Sequence, residues 1–346
     1  MTELTSRLLK DRSLSLEEYA ALIRTFTDDD AVILAKEACR VRDEVYGNQV
    51  YVRGLIEISN FCRNDCFYCG IRRSNKKCDR YRLTKEDILS CCEEGYSLGF
   101  RTFVLQGGED GYYTDAVMCD IVKEIKSRFP DCAVTLSLGE RSSESYQKLF
   151  DAGADRYLLR HETADAEHYS LLHPTELTLE NRMKCLKDLR DIGFQVGAGF
   201  MVGSPFQTAE HLAKDLCFIA DFKPDMCGIG PFVPHSDTPF GGYPTGSAVL
   251  TCFLLSVIRI IHPTVLLPAT TALGTILPKG RELGILSGAN VAMPNLSPAT
   301  ERKKYSLYNN KLSDGAESAQ CLDELKKRVA SVGCTIPVHR GDVKKG

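Results

Sequence analysis

The chain alternates between short runs of β-forming residues and segments of helical length, and this alternation limits its fold more than any other feature. Repeated β-α-β units require parallel strands, because each helix carries the chain back across the sheet before the next strand starts. The strand candidates are residues 52–59, 102–108, 133–139, 156–162, 195–203, 226–234, 266–272 and 290–296. Eight such units predict an α/β protein with a complete (β/α)8 barrel of the TIM type. An open doubly wound sheet is the alternative.

The predicted helix boundaries carry signals that support this interpretation. Thr84, Ser142 and Thr208 stand just before helical patterns, where a hydroxyl accepts a hydrogen bond from a free backbone N–H. Several helices end in glycine before the next strand, since glycine readily adopts the left-handed conformation that turns the chain back toward the sheet. These glycines are Gly99, Gly153, Gly193 and Gly288.

No linker or low-complexity stretch divides the 346 residues. We therefore expect one structural domain, with a helical N-terminal extension at 1–50, a barrel core at 51–300 and a C-terminal extension at 301–346. The net charge of −3 argues against a nucleic-acid-binding surface. The longest apolar run, Val249–Ile261, contains Arg259 and is too short to span a membrane. Fifteen cysteines form no secretory framework, so we expect reduced thiols and a cytoplasmic protein.

Three cysteines, Cys62, Cys66 and Cys69, follow the first predicted strand within eight residues. In a barrel this position is the C-terminal face, where active sites lie. A disulfide would leave one thiol unpaired, and a structural zinc site takes four ligands. Three thiolates fit a [4Fe–4S] cluster whose fourth iron stays free for a small molecule. Zinc with an outside fourth ligand and a buried structural group of thiols are the alternatives.

The fourth predicted strand places two charges on one inward face, Arg160 and Glu162. Charged side chains are rarely buried without a partner, so this pair indicates a polar ligand inside the barrel. The alternative is a structural ion pair between the two residues or with Arg182.

The fifth and sixth predicted strands are poor in the bulky residues that fill a barrel. One face carries Gly197, Gly199 and Met201, and another carries Met226, Gly228 and Gly230. These glycines predict a cavity large enough for a substrate. The alternative is an ordinary core in which bulky neighbours lean into the space.

Residues 62–69, CRNDCFYC, match the CxxxCxΦC pattern of the radical S-adenosylmethionine (SAM) superfamily, with Tyr68 as the aromatic residue. QGGED at the second strand resembles its glycine-rich segment. MVGSPFQT at the fifth resembles its GxPGQT segment, with Ser204 and Phe206 as departures. Similar runs cover most of residues 50–310. The chain resembles the HydE-type maturases of [FeFe]-hydrogenase, in the biotin synthase-like group.

The resemblance implies a [4Fe–4S] cluster and SAM as cofactors, with reductive cleavage of SAM to a 5′-deoxyadenosyl radical. It implies an organometallic substrate, an iron carbonyl–cyanide–cysteine precursor of the hydrogenase diiron subcluster. An electron donor such as ferredoxin or flavodoxin and other hydrogenase maturases are the implied protein partners. We expect neither nucleic acid nor a membrane as a partner.

The resemblance also assigns individual residues. Glu162 takes the SAM ammonium group and Arg182 takes the carboxylate, which suits the two-pronged hydrogen bonding of a guanidinium. The implied SAM contacts are Tyr68, Gln106, Ser137, Glu162, Arg182, Met201 and Ile229. The implied substrate or anion contacts are Arg160, Met226, Thr270, Thr271 and Tyr308. We assign no catalytic role to any histidine.

Some members of this family carry a second cluster on three C-terminal cysteines. The tail of this chain offers only Cys321 and Cys334, so we expect that cluster to be absent. Two other functions stay open: a biotin synthase- or methylornithine synthase-like radical SAM enzyme, and a non-catalytic cluster scaffold.

Overall fold

The computed structural model describes residues 1–344, apart from the side chain of Ala316. Its strands are β1 Tyr51–Val52, β2 Gly54–Ser59, β3 Thr102–Gly107, β4 Ala133–Ser137, β5 Arg156–Leu158, β6 Gln195–Ala198, β7 Met201–Val202, β8 Met226–Cys227, β9 Gly230–Pro231 and β10 Val291–Ala292. Six of them form a central parallel sheet in the order β2-β3-β4-β5-β6-β8, and the parallel pairs β1-β10 and β7-β9 flank it. The predicted α/β class with a parallel sheet is confirmed.

Helices follow the strands in the predicted alternation. The helices are α1 Glu3–Asp11, α2 Leu16–Thr25, α3 Asp28–Tyr46, α4 Lys85–Ser97, α5 Asp115–Arg128, α6 Ser143–Asp151, α7 Ala166–Leu172, α8 Leu179–Ile192, α9 Ala209–Phe222, α10 Ala248–Ile261, α11 Thr271–Ile276, α12 Gly280–Leu286, α13 Ala299–Arg302 and α14 Leu322–Ala330. Short 3-10 turns lie at Gly315–Glu317 and Ala319–Cys321. None of the helices described is long and apolar enough to cross a membrane.

The predicted boundary residues act as expected. The hydroxyls of Thr84, Ser142 and Thr208 accept hydrogen bonds from the backbone N–H three residues later, at the starts of α4, α6 and α9. The glycines that follow α4, α6, α8 and α12 have φ angles of +96°, +106°, +112° and +94°. Such angles are rare for residues with a Cβ, so these glycines fix where the helices end.

The seventh predicted strand is wrong in extent. Residues 266–272 make only single bridges, between Leu266 and Met226 and between Pro268 and Val291. Pro268 has no N–H to extend a ladder, and Thr270 is already the N-cap of α11. The strand pattern of PATTA therefore ends in a helix rather than continuing along the sheet.

The fifth and sixth predicted strands are each broken in two, and Gly199 lies at the break. Its φ is +152°, and a Cβ built there would stand 2.0 Å from the carbonyl oxygen of Gly228. Gly199 therefore lets two backbones approach each other, and it does not open a cavity as predicted. Gly197 faces Leu158 and Met226, which fill its space as in the alternative interpretation. Gly230 does border a cavity.

The N-terminal helices and the C-terminal tail pack on the outside and at one end of this sheet. α3 lies along α10, and α2 lies along α9. At the N-terminal ends of the strands, Asp342 accepts a hydrogen bond from Arg156 at 2.6 Å, and Arg340 pairs with Asp155 at 3.0 Å. The opposite end, where the strands finish, is left for the cysteine-bearing loop.

Candidate active site

The three predicted cluster ligands lie on one long loop, residues 60–82, which we call the cysteine loop. The guanidinium of Arg80 lies inside this loop and donates hydrogen bonds to four of its backbone carbonyl oxygens. They belong to Ile71 at 2.8 Å, Arg72 at 2.7 Å, Asn75 at 3.2 Å, and Asn60. The loop returns to the sheet through a bridge between Ser59 and Arg82. A single cation thus fixes the chain on both sides of the cysteines.

A cavity of about 330 Å³ opens under this loop, at the C-terminal ends of the strands. This volume is typical of a site for a small organic ligand. The structure brings most of the predicted site residues to its wall. They are Cys62, Cys66, Tyr68, Cys69, Gln106, Ser137, Arg160, Glu162, Arg182, Met201, Thr270 and Tyr308.

The three thiols are well placed for a positively charged group. Burial raises the pKa of Cys66, and the neighbouring Cys69 and Cys62 raise it further. Burial together with Cys62 raises the pKa of Cys69 to about 12. Three thiolates this close need strong cationic compensation, which iron supplies. No group of three or more His, Cys, Asp or Glu side chains in the described chain is placed to hold a single metal ion. A cubane takes one thiolate on each of three irons, and the loop fits that group.

Glu162 and Arg160 form the polar part of the cavity wall. Their charged groups approach to 3.1 Å. The geometry is not that of a hydrogen bond, and Glu162 Oε2 and Arg160 Nε and Nη2 have no hydrogen-bond partner among the described residues. Glu162 also has a φ of +66°, which is uncommon for a residue with a side chain. Arg160 and Glu162 therefore form the ion pair of the alternative interpretation, but several of their polar atoms at the cavity wall have no hydrogen-bond partner among the described residues.

Arg182 reaches the cavity from α8 and is fixed by two hydrogen bonds. Its Nε donates to Glu140 Oε1 at 2.5 Å, and its Nη1 donates to the carbonyl oxygen of Arg160 at 2.6 Å. The second oxygen of Glu140 accepts a bond from Asn181 at 2.6 Å. Arg182 therefore pairs with Glu140 and does not form the ion pair with Glu162 that was one of the alternatives. Glu140, which our sequence reasoning did not select, positions this arginine.

Tyr68 is held by a histidine that sequence reasoning also left out. Burial, with Arg182 nearby, lowers the pKa of His173 to about 3, so the imidazole is neutral near pH 7. Its Nδ1 lies 2.9 Å from the carbonyl oxygen of Tyr169 and must carry the proton. Nε2 therefore accepts a hydrogen bond from the Tyr68 hydroxyl at 3.1 Å. This contact fixes the edge of the tyrosine ring at the cavity wall.

The remaining predicted SAM contacts divide between wall and core. Gln106 and Ser137 are register neighbours at the ends of β3 and β4, so their side chains reach the cavity together. Gln106 donates to the Tyr305 hydroxyl at a long 3.5 Å. Met201 lines the cavity from β7. Ile229 instead belongs to the buried apolar core, and the structure does not bring it to the cavity wall.

The predicted substrate contacts are also divided. Arg160, Thr270 and Tyr308 line the cavity, and the Thr270 hydroxyl is buried without a hydrogen-bond partner in the part of the chain described. Thr271 points elsewhere, since its hydroxyl donates to Glu317 at 2.8 Å. Met226 lies in a separate, small space deeper in the sheet.

That deeper space contains an arginine that sequence reasoning missed. Arg53 is 1% exposed, its Nη1 contacts Met226 Sδ, and its Nε and Nη2 lack a hydrogen-bond partner within residues 1–344. Burial and the neighbouring Arg156 lower the pKa of Arg53. The buried hydroxyl of Thr135, beside it, is likewise unsatisfied among the described groups. The sequence feature that could have indicated this buried charge is a single arginine within the largely apolar run YVRGLIEI.

A second missed pair links the C-terminal extension to the site. Lys311 pairs with the fully buried Glu57 of β2 and lies 5.1 Å from the centre of the Tyr305 ring. Tyr305, Leu307 and Tyr308 all line the cavity. The extension therefore supplies one wall of the site.

The chain is similar to known proteins over most of its length. Residues 56–219 match the Radical SAM superfamily. The chain is 46% identical to the [FeFe] hydrogenase maturase subunit HydE of Thermotoga maritima over 300 residues, covering 87% of this chain and 85% of the relative. It is 28% identical to 3-methylornithine synthase of Methanosarcina barkeri over 303 residues, covering 87% and 82%. The solved structure of methylornithine synthase (PylB) shares the fold, with a TM-score of 0.84, 24% identity and 97% coverage of both chains.

Identity of 46% over most of both chains shows the family, and the superfamily match agrees with the cysteine loop. The protein is accordingly a SAM-dependent radical enzyme, with a [4Fe–4S] cluster and SAM as its cofactors. The chain belongs to the HydE family of [FeFe]-hydrogenase maturases, within the radical SAM superfamily.

Proposed function

We propose that this chain acts in assembly of the diiron subcluster of [FeFe]-hydrogenase, on an iron carbonyl–cyanide–cysteine precursor. The observation that carries the proposal is the single cavity that joins the three cysteines to unsatisfied groups of both charges. A non-catalytic scaffold would need the cysteines but would have no use for an Arg160–Glu162 ion pair whose polar atoms stay without hydrogen bonds at the cavity wall.

Cys62, Cys66 and Cys69 would hold the cluster, and its bound SAM supplies the 5′-deoxyadenosyl radical. Glu162, with its unsatisfied oxygen, accepts from the ammonium group of SAM, and Arg182 binds the carboxylate. We further propose that Tyr68 packs on the adenine, that Gln106 and Ser137 bond the ribose or methionine moiety, and that Met201 supplies an apolar contact.

Arg160, Thr270 and Tyr308 would contact the substrate. The open N–H groups of Arg160 and the unsatisfied Thr270 hydroxyl favour an anionic ligand such as a cyanide-bearing iron complex. Met226 lies outside this cavity, beside Arg53, so we do not propose it as a substrate contact. A low-potential donor such as ferredoxin or flavodoxin would reduce the cluster, and other hydrogenase maturases would supply or receive the iron complex.

We also propose that the sheet closes into the complete (β/α)8 barrel expected from the sequence. Single bridges support closure, because Leu266 bonds beside β8, Pro268 beside β10 and Asn295 beside Leu55 of β2. A closed wall would keep water away from a radical formed inside it.

The test is a maturation assay. Apo-hydrogenase, the remaining maturation proteins, SAM and reductant are combined with this protein, and hydrogen production is measured. Full activation should require the chain and should fall at least tenfold with Glu162→Gln. Activation that proceeds equally without this protein would contradict the proposal.

A further inference from the structure

A fully buried pair of side chains, His161 after β5 and Asp215 on α9, lies behind the polar wall of the cavity. His161 Nε2 lies 3.2 Å from Asp215 Oδ1, and His161 Nδ1 accepts a hydrogen bond from the backbone N–H of Gly199 at 3.3 Å. Because Nδ1 is an acceptor, Nε2 carries the proton of a neutral imidazole and donates it to Asp215. The pair therefore connects α9 to the break between β6 and β7.

One oxygen atom of Asp215 closes the turn that contains Glu162. Besides the hydrogen bond from His161, Asp215 Oδ1 accepts one from the backbone N–H of Ala164 at 2.6 Å. These two donors stand on either side of Glu162 in the sequence. Between them, the N–H of Glu162 donates to the carbonyl oxygen of Gly199 at 3.0 Å. A single atom on another helix therefore holds this turn, residues 161–164, from both ends.

The backbone of Glu162 needs such support. Its φ of +66° lies in the left-handed region, which is uncommon for a residue with a Cβ. Sparsely populated conformations of this kind persist only where the surrounding structure fixes them. A change of φ at Glu162 would rotate its Cα–Cβ bond, so the carboxylate would leave its present place at the cavity wall. The position of the carboxylate therefore depends on the contacts that hold the turn.

His161 and Asp215 hold the turn by hydrogen bonds between neutral groups. Burial lowers the pKa of His161 to about 3. Burial, with Glu162 nearby, raises the pKa of Asp215 well above its ordinary value, and Asp215 Oδ2 has no hydrogen-bond partner within residues 1–344. An unpaired oxygen costs less in a neutral carboxyl than in a carboxylate. Asparagine, which has nearly the shape of a protonated carboxyl, should therefore replace Asp215 without loss of the turn.

We propose that Asp215 is a positioning residue for SAM, which acts through His161 and the 161–164 turn to hold Glu162 where it meets the SAM ammonium group. This inference rests on the proposed function, because it takes Glu162 as the ammonium contact. The alternative is a buried polar pair that only stabilises the core. That alternative predicts a loss of stability without a change in SAM affinity.

The test measures SAM binding to the reconstituted protein by equilibrium dialysis, together with KM and kcat for dithionite-driven formation of 5′-deoxyadenosine. Asp215→Ala removes the acceptor of two N–H groups, so SAM affinity should fall and KM should rise by about fivefold or more, with kcat per bound cluster nearly unchanged. Mere loss of stability would lower the amount of active protein and leave KM as it was. Asp215→Asn keeps Oδ1 and should restore both values.

Asp30→Ala is the matched control. Asp30 is also fully buried, and it accepts hydrogen bonds from the backbone N–H groups of Thr2 at 2.8 Å and Thr27 at 3.1 Å. It lies at the start of α3 and does not line the cavity. Its replacement should lower the melting temperature and leave SAM affinity and KM unchanged. An equal loss of SAM affinity in Asp30→Ala would overturn the proposal.

His161→Phe gives a second test that does not depend on the folding of Asp215→Ala. Phenylalanine keeps a ring beside Phe218, whose centre lies 4.6 Å from that of His161, and removes both hydrogen bonds of the imidazole. SAM affinity should again fall by about fivefold or more. Normal affinity in His161→Phe or in Asp215→Ala would contradict a positioning role.

Combination with Glu162→Gln distinguishes this inference from the proposed function. If Asp215 acts through Glu162, Asp215→Ala should weaken SAM binding little further in the Glu162→Gln background, because the two changes remove one contact. A full additional loss would show that Asp215 acts by another route and would overturn the proposal. If Glu162→Gln alone binds SAM normally, the assigned ammonium contact fails and this inference fails with it. Weak binding by Glu162→Gln beside normal binding by Asp215→Ala would refute this inference alone.

Discussion

Arg160 and Glu162 face each other across 3.1 Å of the cavity wall without forming a hydrogen bond. In a buried ion pair with a purely structural role, the N–H groups usually form hydrogen bonds with the carboxylate oxygens, because desolvated charges are otherwise costly. Here Glu162 is held by its backbone, whose N–H donates to the carbonyl oxygen of Gly199 at 3.0 Å. The fold therefore positions the carboxylate and leaves its bonding capacity for a ligand.

Replacing Glu162 by glutamine should weaken SAM binding while leaving the cluster intact. Loss of a charge-assisted contact corresponds to about 1.5–3 kcal/mol, or roughly tenfold to over a hundredfold in affinity. Equilibrium binding of SAM to the reconstituted protein gives the affinity, and iron content checks the cluster. Glu180→Gln, on the same helix as Arg182 but on its exposed first turn, is the matched control. Unchanged affinity in Glu162→Gln would return the residue to a structural role.

Arg80→Met should disorganise the cysteine loop. The change leaves several loop carbonyl oxygens without their donor, and each buried unsatisfied group costs about 1–3 kcal/mol. We expect a loss of about 2 kcal/mol or more in the free energy of unfolding, measured by denaturant titration, and less iron bound after reconstitution. Arg73→Met, at an exposed loop position, should change neither quantity. Normal iron content in Arg80→Met would contradict this organising role.

Features of the fold that depend on residues close together in sequence could be predicted, and features that depend on distant residues could not. Caps such as Thr84 are local, because the hydroxyl meets an N–H three residues away, and they were predicted correctly. The role of Gly199 was not, since alternation along a strand cannot reveal that Gly228 of a neighbouring strand approaches it. The Glu57–Lys311 pair joins residues 254 positions apart, and nothing local in either segment marks it.

The same distinction holds for the candidate site. The cysteine spacing and the charges at Arg160 and Glu162 are visible in short stretches, and the structure brings them to one cavity. Glu140 and His173 act by fixing other side chains, Arg182 and Tyr68, and such support depends on packing between distant helices and loops. Met226 shared a strand face with Gly230, and Ile229 was implied by the family resemblance, yet the structure places both away from the cavity wall.

His173 should contribute to acid sensitivity. Its folded pKa of about 3 lies below the ordinary value of 6.5, so between these pH values the unfolded chain binds the proton more strongly. Stability is therefore lost as the pH falls below about 6.5, by up to about 1.4 kcal/mol per pH unit from this group. Denaturant titrations of His173→Gln between pH 7 and 5 should show a shallower fall than the unaltered protein. An equal slope in both proteins would contradict a buried neutral His173.

The most direct measurement of the central claim is SAM cleavage by the reconstituted, dithionite-reduced protein. We predict equimolar 5′-deoxyadenosine and methionine from the unaltered chain, and neither product from Cys62→Ala/Cys66→Ala/Cys69→Ala, which should also lose the cluster absorption. Cys217→Ala, at a cysteine on α9, should retain both. A protein that carries its full cluster on these cysteines and binds SAM, yet forms no 5′-deoxyadenosine, would contradict the account.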